Sequence, residues 1–400
     1  MLRFIIPVLL AATLSAATLP QLIESARQKH PALEAIKLRI AAAEYAIQRS
    51  KNFDDPVLSL GINDIRVDDP TNRSLERMQT NSLSFSQKIP WFGKRDAKKA
   101  IEEGAKSLLF ASYKEARARL FAKIKENAYR YWETDKLIEV TKSTMALTKQ
   151  NIELFEAYTA SGDSGNSHMG IISAELVKSR LKTSLKRLEA KKEEILALLE
   201  YLSFKDLENL EVDLPNRELP PIEKVLENIK QSPSLTIEKA KERVEEHMLE
   251  LKKLQNKPDP ILKVGYYNRS SFEDYISMGL ALSLPIYGTQ KSKEEEQRAK
   301  LLAQKQRVLD KKREIEAKVE ALFAKAKSRY EVVQIIERES LPQVNHMFDL
   351  IRSDIAAGGD LYKFVDLVEQ KLKLDAEAIS ARAQYYITVA KIEEILGEKL

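Results

Sequence analysis

The sequence contains no cysteine, which removes disulfide scaffolds, thiolate metal sites, cysteine nucleophiles and a lipid-bearing N-terminal cysteine together. Glycine and proline are scarce, 12 and 14 among 400 residues, too few for the many turns of an all-β sandwich. Neither sign of charge dominates: 65 Lys and Arg stand against 60 Asp and Glu. They are interleaved, as on solvated helices, rather than gathered into a basic nucleic-acid patch. Beyond the first ~15 residues no apolar run approaches the ~20 that a membrane-spanning helix needs. What is present, 44% hydrophobic and 31% charged residues, is the composition of a folded protein. Its length fits one large domain or two to three ordinary ones.

Arg3, the apolar run Phe4 to Ala12 and the small residues Ser15-Ala16-Ala17 have the order of a secretory signal peptide, residues 1–17. Pro7 inside the run and the polar switch at Gln21 argue against the alternative of a buried N-terminal helix. The mature chain is expected to begin near Thr18, with no lipid anchor.

The remainder repeats itself. His30-Pro31-Ala32-Leu33 is echoed by Ser232-Pro233-Ser234-Leu235, and Asp55-Pro56-Val57-Leu58-Ser59-Leu60-Gly61 by Asp259-Pro260-Ile261-Leu262-Lys263-Val264-Gly265. Asn72-Arg73-Ser74 recurs as Asn268-Arg269-Ser270, and Ile89-Pro90-Trp91-Phe92-Gly93 as Leu284-Pro285-Ile286-Tyr287-Gly288. The echoes keep one order at a near-constant spacing, so a single unit is duplicated. The first repeat is expected over 18–212 and the second over 222–400, with a linker at 213–221 where Pro215, Pro220 and Pro221 break any helix.

Within each repeat the hydrophobic period changes twice. Residues 31–52 and 233–256 are helical by composition, and the segments after them alternate. Leu58, Leu60 and Ile62 oppose Ser59, Gly61 and Asn63, and Leu83, Phe85 and Ile89 oppose Ser82, Ser84, Ser86 and Lys88. Leu262, Val264 and Tyr266 share a face, and Ile276, Met278, Leu280, Leu282 and Leu284 oppose Ser277, Gly279, Ala281 and Ser283. Period two predicts four strands, at about 56–67, 78–90, 260–269 and 274–285. After Gly93 and Gly288 the chain turns helical. Residues 94–160 hold one Gly and no Pro, a rod of about 100 Å. A second long helix is predicted over 289–356, with core positions Ile315, Val319, Leu322, Ala326, Val333 and Ile336, and a kink or a break near Pro342. Return helices follow at 168–203 and 360–397, after turns at Ser161 to Ser167 and Ala356 to Asp360.

Little in the chain suggests catalysis. His30, His168, His247 and His346 are scattered, no HExxH spacing occurs and no glycine-rich phosphate loop is present. Gly162-Asp163-Ser164-Gly165 looks like a serine-protease nucleophile segment, but it sits between two helical stretches, not in the β double barrel such an enzyme requires. His168-Met169 offers two adjacent soft donors, short of the three or more converging ligands a metal needs. Trp91, Phe92, Tyr266, Tyr267, Tyr275 and Tyr287 near strand ends suit an interfacial aromatic girdle or ordinary sheet packing. Asp366 and Glu369 stand three apart, on one helical face.

Strands of ~10 residues are long enough to cross a bilayer when tilted. Four cannot close a membrane barrel, and an open sheet in lipid leaves backbone groups unpaired at several kcal/mol each. Strands that span lipid therefore require chains to associate.

With its duplicated helix–strand–strand–long helix–helix unit, its Pro-Gly junctions, and Val365-Asp366-Leu367-Val368-Glu369 after the second turn, the chain resembles the TolC-type outer-membrane efflux protein family over nearly its whole mature length. Gln87-Lys88-Ile89-Pro90-Trp91-Phe92-Gly93-Lys94-Arg95 resembles the junction of the heavy-metal (CusC/CzcC-like) branch, which often carries the lipidated cysteine absent here. The resemblance implies a mainly α fold with a membrane β part: a homotrimer whose twelve strands form a barrel in outer-membrane lipid, continued by a long α-helical barrel. It implies a passive exit duct for metal cations or small toxic compounds rather than an enzyme. The partners implied are a periplasmic adaptor and an inner-membrane pump, of the RND type. No cofactor, metal or nucleic acid is expected. Asp366 and Glu369 match two acidic positions of the periplasmic gate, while the family's gate-locking arginine is replaced by Tyr362, beside Lys363. Ser161, Gly162, Ala357 and Gly358 fall at the adaptor-docking turns, and Pro90, Gly93, Pro285 and Gly288 at the strand-to-helix junctions. The rival readings are a soluble periplasmic coiled-coil scaffold or adaptor and, more distantly, a secreted pore-forming toxin. Neighbouring genes encoding a pump would identify the substrate class.

Overall fold

A computed structural model describes residues 17–73, 76–159, 167–356 and 361–397. In chain order the elements are β1 (Ala17–Thr18), α1 (Leu19–Lys29), α2 (Pro31–Ser50), β2 (Val57–Asn63), β3 (Thr80–Lys88), α3 (Lys94–Thr159), α4 (Ser167–Ser203), β4 (Leu210–Glu211), α5 (Ile222–Glu227), α6 (Pro233–Leu254), β5 (Pro260–Arg269), β6 (Tyr275–Leu282), α7 (Thr289–Ile335), α8 (Leu341–Ala356) and α9 (Leu361–Leu396). The expected leader lies outside the described residues except for Ala17, which pairs in parallel with Leu210.

The elements fall into two compact units, each drawing on both sequence repeats. One holds residues 35–113 and 233–313, and the other the first 34 residues, 114–232 and 314–400. In the first, β2, β3, β5 and β6 form one antiparallel sheet in that order. Helices α6 and α7 are tied by Gln304, whose Nε2 donates to Glu238 Oε2 at 2.7 Å, and by Gln297 with Glu245. Val244 lies so near Gly104 of α3 that a Cβ there would stand 2.9 Å from Val244 Cγ2.

In the second unit Ile152 of α3, Ala174, Val177 and Leu181 of α4, and Phe364, Val365 and Val368 of α9 form one buried cluster. The 3–4 spacing of its members in α4 and α9 is what an apolar helical stripe requires. Tyr385 donates its hydroxyl to Arg217 O at 2.7 Å and Tyr386 donates to Pro215 O, pinning the proline-rich segment before α5.

The helix expected over 31–52 is α2, set off from α1 by His30, which is extended at ψ 120° before Pro31, as a residue preceding proline prefers. The first strand is shorter than its alternation, ending at Asn63 because Asp64 turns to φ +57°. The second long helix is interrupted by a π-turn at Ile336–Ser340. Pro342 has no N–H, and its ring would strike the carbonyl four residues back, so the wider turn absorbs the misfit.

Candidate functional site

The sheet's register sorts its side chains into two unlike faces. Leu60 stands opposite Leu83, Leu83 opposite Tyr266 and Tyr266 opposite Ile276, forming a row across all four strands. The next row is Leu58, Phe85, Val264 and Met278. Directly opposed residues share a face, so an apolar band two rows deep crosses all four strands, bordered on the same face by Ile62, Asn81 and Asn268. It is open: Leu60 is 80% and Met278 79% exposed. The reverse face carries the row Ser59, Ser84, Gly265 and Ser277, and beside it Gly61, Ser82, Tyr267 and Tyr275. Among the described residues no strand pairs with the outer side of β2 or of β6.

The aromatic residues divide between the faces. Tyr266 lies in the apolar rows, whereas Tyr267 and Tyr275 stack at 4.7 Å on the small-residue face, above Gly265. Alternation along β5 forces consecutive tyrosines apart, so these two do not form a girdle with Tyr266.

At the strand-to-helix junctions, Pro90 and Gly93 lie between β3 and α3, and Pro285 and Gly288 between β6 and α7. Gly93 takes φ +83° and Gly288 φ +74°, a backbone region that strains any residue with a Cβ. The first junction is clamped. Asp259, just before β5, accepts hydrogen bonds from Trp91 N–H at 2.8 Å and Lys94 Nζ at 2.7 Å. Lys94 Nζ also donates to Lys257 O at 2.6 Å, and Lys88 Nζ lies 3.6 Å from Asp259 Oδ2. Burial pushes the Asp259 carboxyl up, but the Lys94 ammonium, the Trp91 N–H and Lys88 outweigh it and hold the group below its ordinary value. Nothing local in the sequence marks this contact, since the matching Asp55-Pro56 pair has no lysine in place of Lys94, and only the fold brings Lys94 to Asp259.

Asp366 and Glu369 are both exposed on α9, while Phe364, Val365, Leu367 and Val368 on the same turns are buried. Asp366 Oδ2 accepts from Gln370 Nε2 at 2.7 Å, and Glu369 lies 3.4 Å from Arg180 Nη1 of α4. Tyr362 and Lys363 are exposed. Sequence reasoning missed Arg180, 189 positions away in the other return helix, and no local motif marks it. The docking residues Ser161, Gly162, Ala357 and Gly358 lie outside the described residues.

Tyr129, Tyr385, Tyr386 and Glu394 line a cleft of about 620 Å³ in the same unit as α9. Burial pushes Tyr385 up to about 12 and raises Glu394. Among the described residues no three His, Asp or Glu side chains converge on a metal position, and no helix is long and apolar enough to cross a membrane.

No protein-family model matches the sequence, and no curated protein matches it significantly. Solved structures do match. The fold is similar to that of CusC, whose structures concern transmembrane channel formation, at 12% identity and TM-score 0.79 over 95% of this chain and 92% of that one. It is similar to the outer membrane protein VceC of Vibrio cholerae at 15% identity and TM-score 0.78, covering 95% and 96%. The outer membrane channel MtrE of Neisseria gonorrhoeae is 14% identical at TM-score 0.78, covering 95% and 89%. At these identities the likeness is one of fold.

Proposed function

We propose that the chain is a TolC-type outer-membrane channel, the passive exit duct of a tripartite efflux system. The observation that carries this reading is the four-stranded sheet with an apolar band across all four strands on one face, small and polar residues on the other, and two open edges. In water such a face and such edges invite aggregation. In a bilayer the same design becomes stable once the edges are closed. Three copies supply twelve strands, with Leu60 and Met278 toward outer-membrane lipid and Ser59 and Ser277 toward the lumen. The fold of the solved outer-membrane channels supports the same reading.

The remaining parts take roles accordingly. Pro90, Gly93, Pro285 and Gly288 turn strand into helix and touch no substrate. The turns holding Ser161, Gly162, Ala357 and Gly358 meet a periplasmic adaptor, which couples the duct to an inner-membrane pump of the RND type. Asp366 and Glu369 of three chains form an acidic ring at the periplasmic entrance, and Arg180 supplies the cation beside it that Tyr362 does not. The cargo is a metal cation or a small toxic compound, and the chain conducts it without chemistry.

Fractionation with the outer membrane, heat-modifiable migration and conductance in a planar bilayer test the assignment together. A helical oligomer confined to the soluble periplasmic fraction and without conductance would establish the scaffold reading instead. Cysteines introduced at Ser161 and Ala357 should cross-link to a co-expressed adaptor. Cross-links only at the strand-loop positions Asn72 and Asn268 would refute the docking assignment.

A further inference from the structure

The two hairpins of the sheet correspond residue by residue. Asp55 aligns with Asp259 and Gly93 with Gly288, so first-hairpin positions shift by 204 residues in β2 and by 195 in β3. These shifts carry the pair Leu58–Phe85 onto Leu262–Leu280, and Gly61–Ser82 onto Gly265–Ser277. Both are pairs of the second hairpin. The sequence repeat and the strand register, two independent observations, agree.

Applied to the central seam, the same shifts give contacts that one chain cannot make. β3 maps onto β6 and β5 onto β2, which lie at opposite edges of the sheet. Phe85–Val264 becomes Leu280–Leu60, Leu83–Tyr266 becomes Met278–Ile62, and Ser84–Gly265 becomes Gly279–Gly61. Each image places apolar beside apolar or small beside small. A slip of one residue would throw every apolar side chain to the wrong face.

We propose that β6 of one copy pairs antiparallel with β2 of the next with Leu280 opposite Leu60, and that this seam between copies lacks the charged clamp of the seam within each chain. The inference rests on the oligomeric channel proposed above. The image of Asp259 is Asp55, whereas the images of Lys94 and Lys88 are Thr289 and Ser283, and all three are exposed. The carboxylate is kept and both ammonium groups are gone. Inside a chain, the ladder, the apolar face and the Lys94–Asp259 pair act together. Between chains only the first two remain.

The absence of native cysteine makes the test direct. Full-length Leu60→Cys/Leu280→Cys is compared with the shifted pairs Leu58→Cys/Leu280→Cys and Ile62→Cys/Leu280→Cys after mild oxidation in membranes. Opposed Cβ atoms stand about 4.5–5.5 Å apart and diagonal neighbours about 7–8 Å, so only the first variant should yield chain-to-chain disulfides on a non-reducing gel. Preferential linkage of a shifted pair, or none in an intact oligomer, overturns the register and leaves the channel reading standing. No linkage together with a monomeric detergent extract overturns both. For the clamp, the temperature at which the oligomer dissociates in SDS is measured for wild type, Thr289→Lys and Thr289→Lys/Asp55→Asn. Thr289→Lys should raise it by several degrees, and Asp55→Asn should cancel the gain. An unchanged or lowered temperature for Thr289→Lys, or a gain that survives Asp55→Asn, overturns the clamp assignment.

Discussion

Asp259 is the residue on which most of the first junction converges, and its loss has a calculable sign. Its carboxyl is held below the ordinary 3.8, so its stabilisation is present above the unfolded value and is lost as pH falls through the folded one. Asp259→Asn should therefore lower stability by about 1–3 kcal/mol at neutral pH, since Lys94 is left buried without its counter-ion. The deficit should shrink below pH 3.8, which thermal melts from pH 7 to 3 would reveal. Gly265 is a second sensitive position. A Cβ there would stand 2.8 Å from the Tyr267 ring, so Gly265→Ala should displace the Tyr267–Tyr275 stack, an effect readable in near-UV circular dichroism. Neither contact could be read from the sequence: Asp259 and Lys94 are 165 positions apart, and alternation fixes which face Tyr267 occupies but not what it stacks on.

Elements were more legible than contacts. Period-two alternation located all four strands because a sheet with unlike faces imposes that pattern on every strand. It overran β2, since Ile65 and Val67 continue the alternation past Asp64 and hydrophobic period carries no information on φ. The break at Ile336–Ser340 was foreshadowed by Pro342, but its form, a widened turn instead of a bend, depends on packing. Removing the cause should remove the break: Pro342→Ala should let the turn close into an α-helix and slow amide exchange at Ile336 to Ser340. At sheet level, Leu280→Arg should cost roughly 2–4 kcal/mol if it lies at the bilayer midplane, and Ser277→Arg far less. Equal losses in a membrane-assembly assay would reverse the assignment of the two faces.

For the whole molecule, the exposed carboxylates of α9 matter through their multiplication. In the trimer proposed above, three chains would bring six of them, Asp366 and Glu369 from each, around one axis, where mutual repulsion would favour cation capture. Multivalent cations added on the periplasmic side should block wild-type conductance and leave Asp366→Ala/Glu369→Ala unblocked. Identical block would place the cation site elsewhere. The acidic pair was legible as a pattern, but Arg180 was not, because the 3.4 Å contact with Glu369 joins two return helices that no sequence period relates. Arg180→Ala should leave the block in place while raising single-channel open probability, if the pair restrains α4 against α9.

The order of the strands also sets a timetable for folding. The central seam joins Thr80–Lys88 to partners at 261–269, so the first hairpin has no neighbour until most of the chain has been made. A lone two-stranded hairpin is marginal in water, and contacts of such long sequence separation form slowly. The helices, built from local hydrogen bonds, need not wait. A nascent chain thus carries finished helices beside an unfinished, adhesive ribbon, and for the channel proposed above its delivery to the membrane would be a race against premature association of that ribbon.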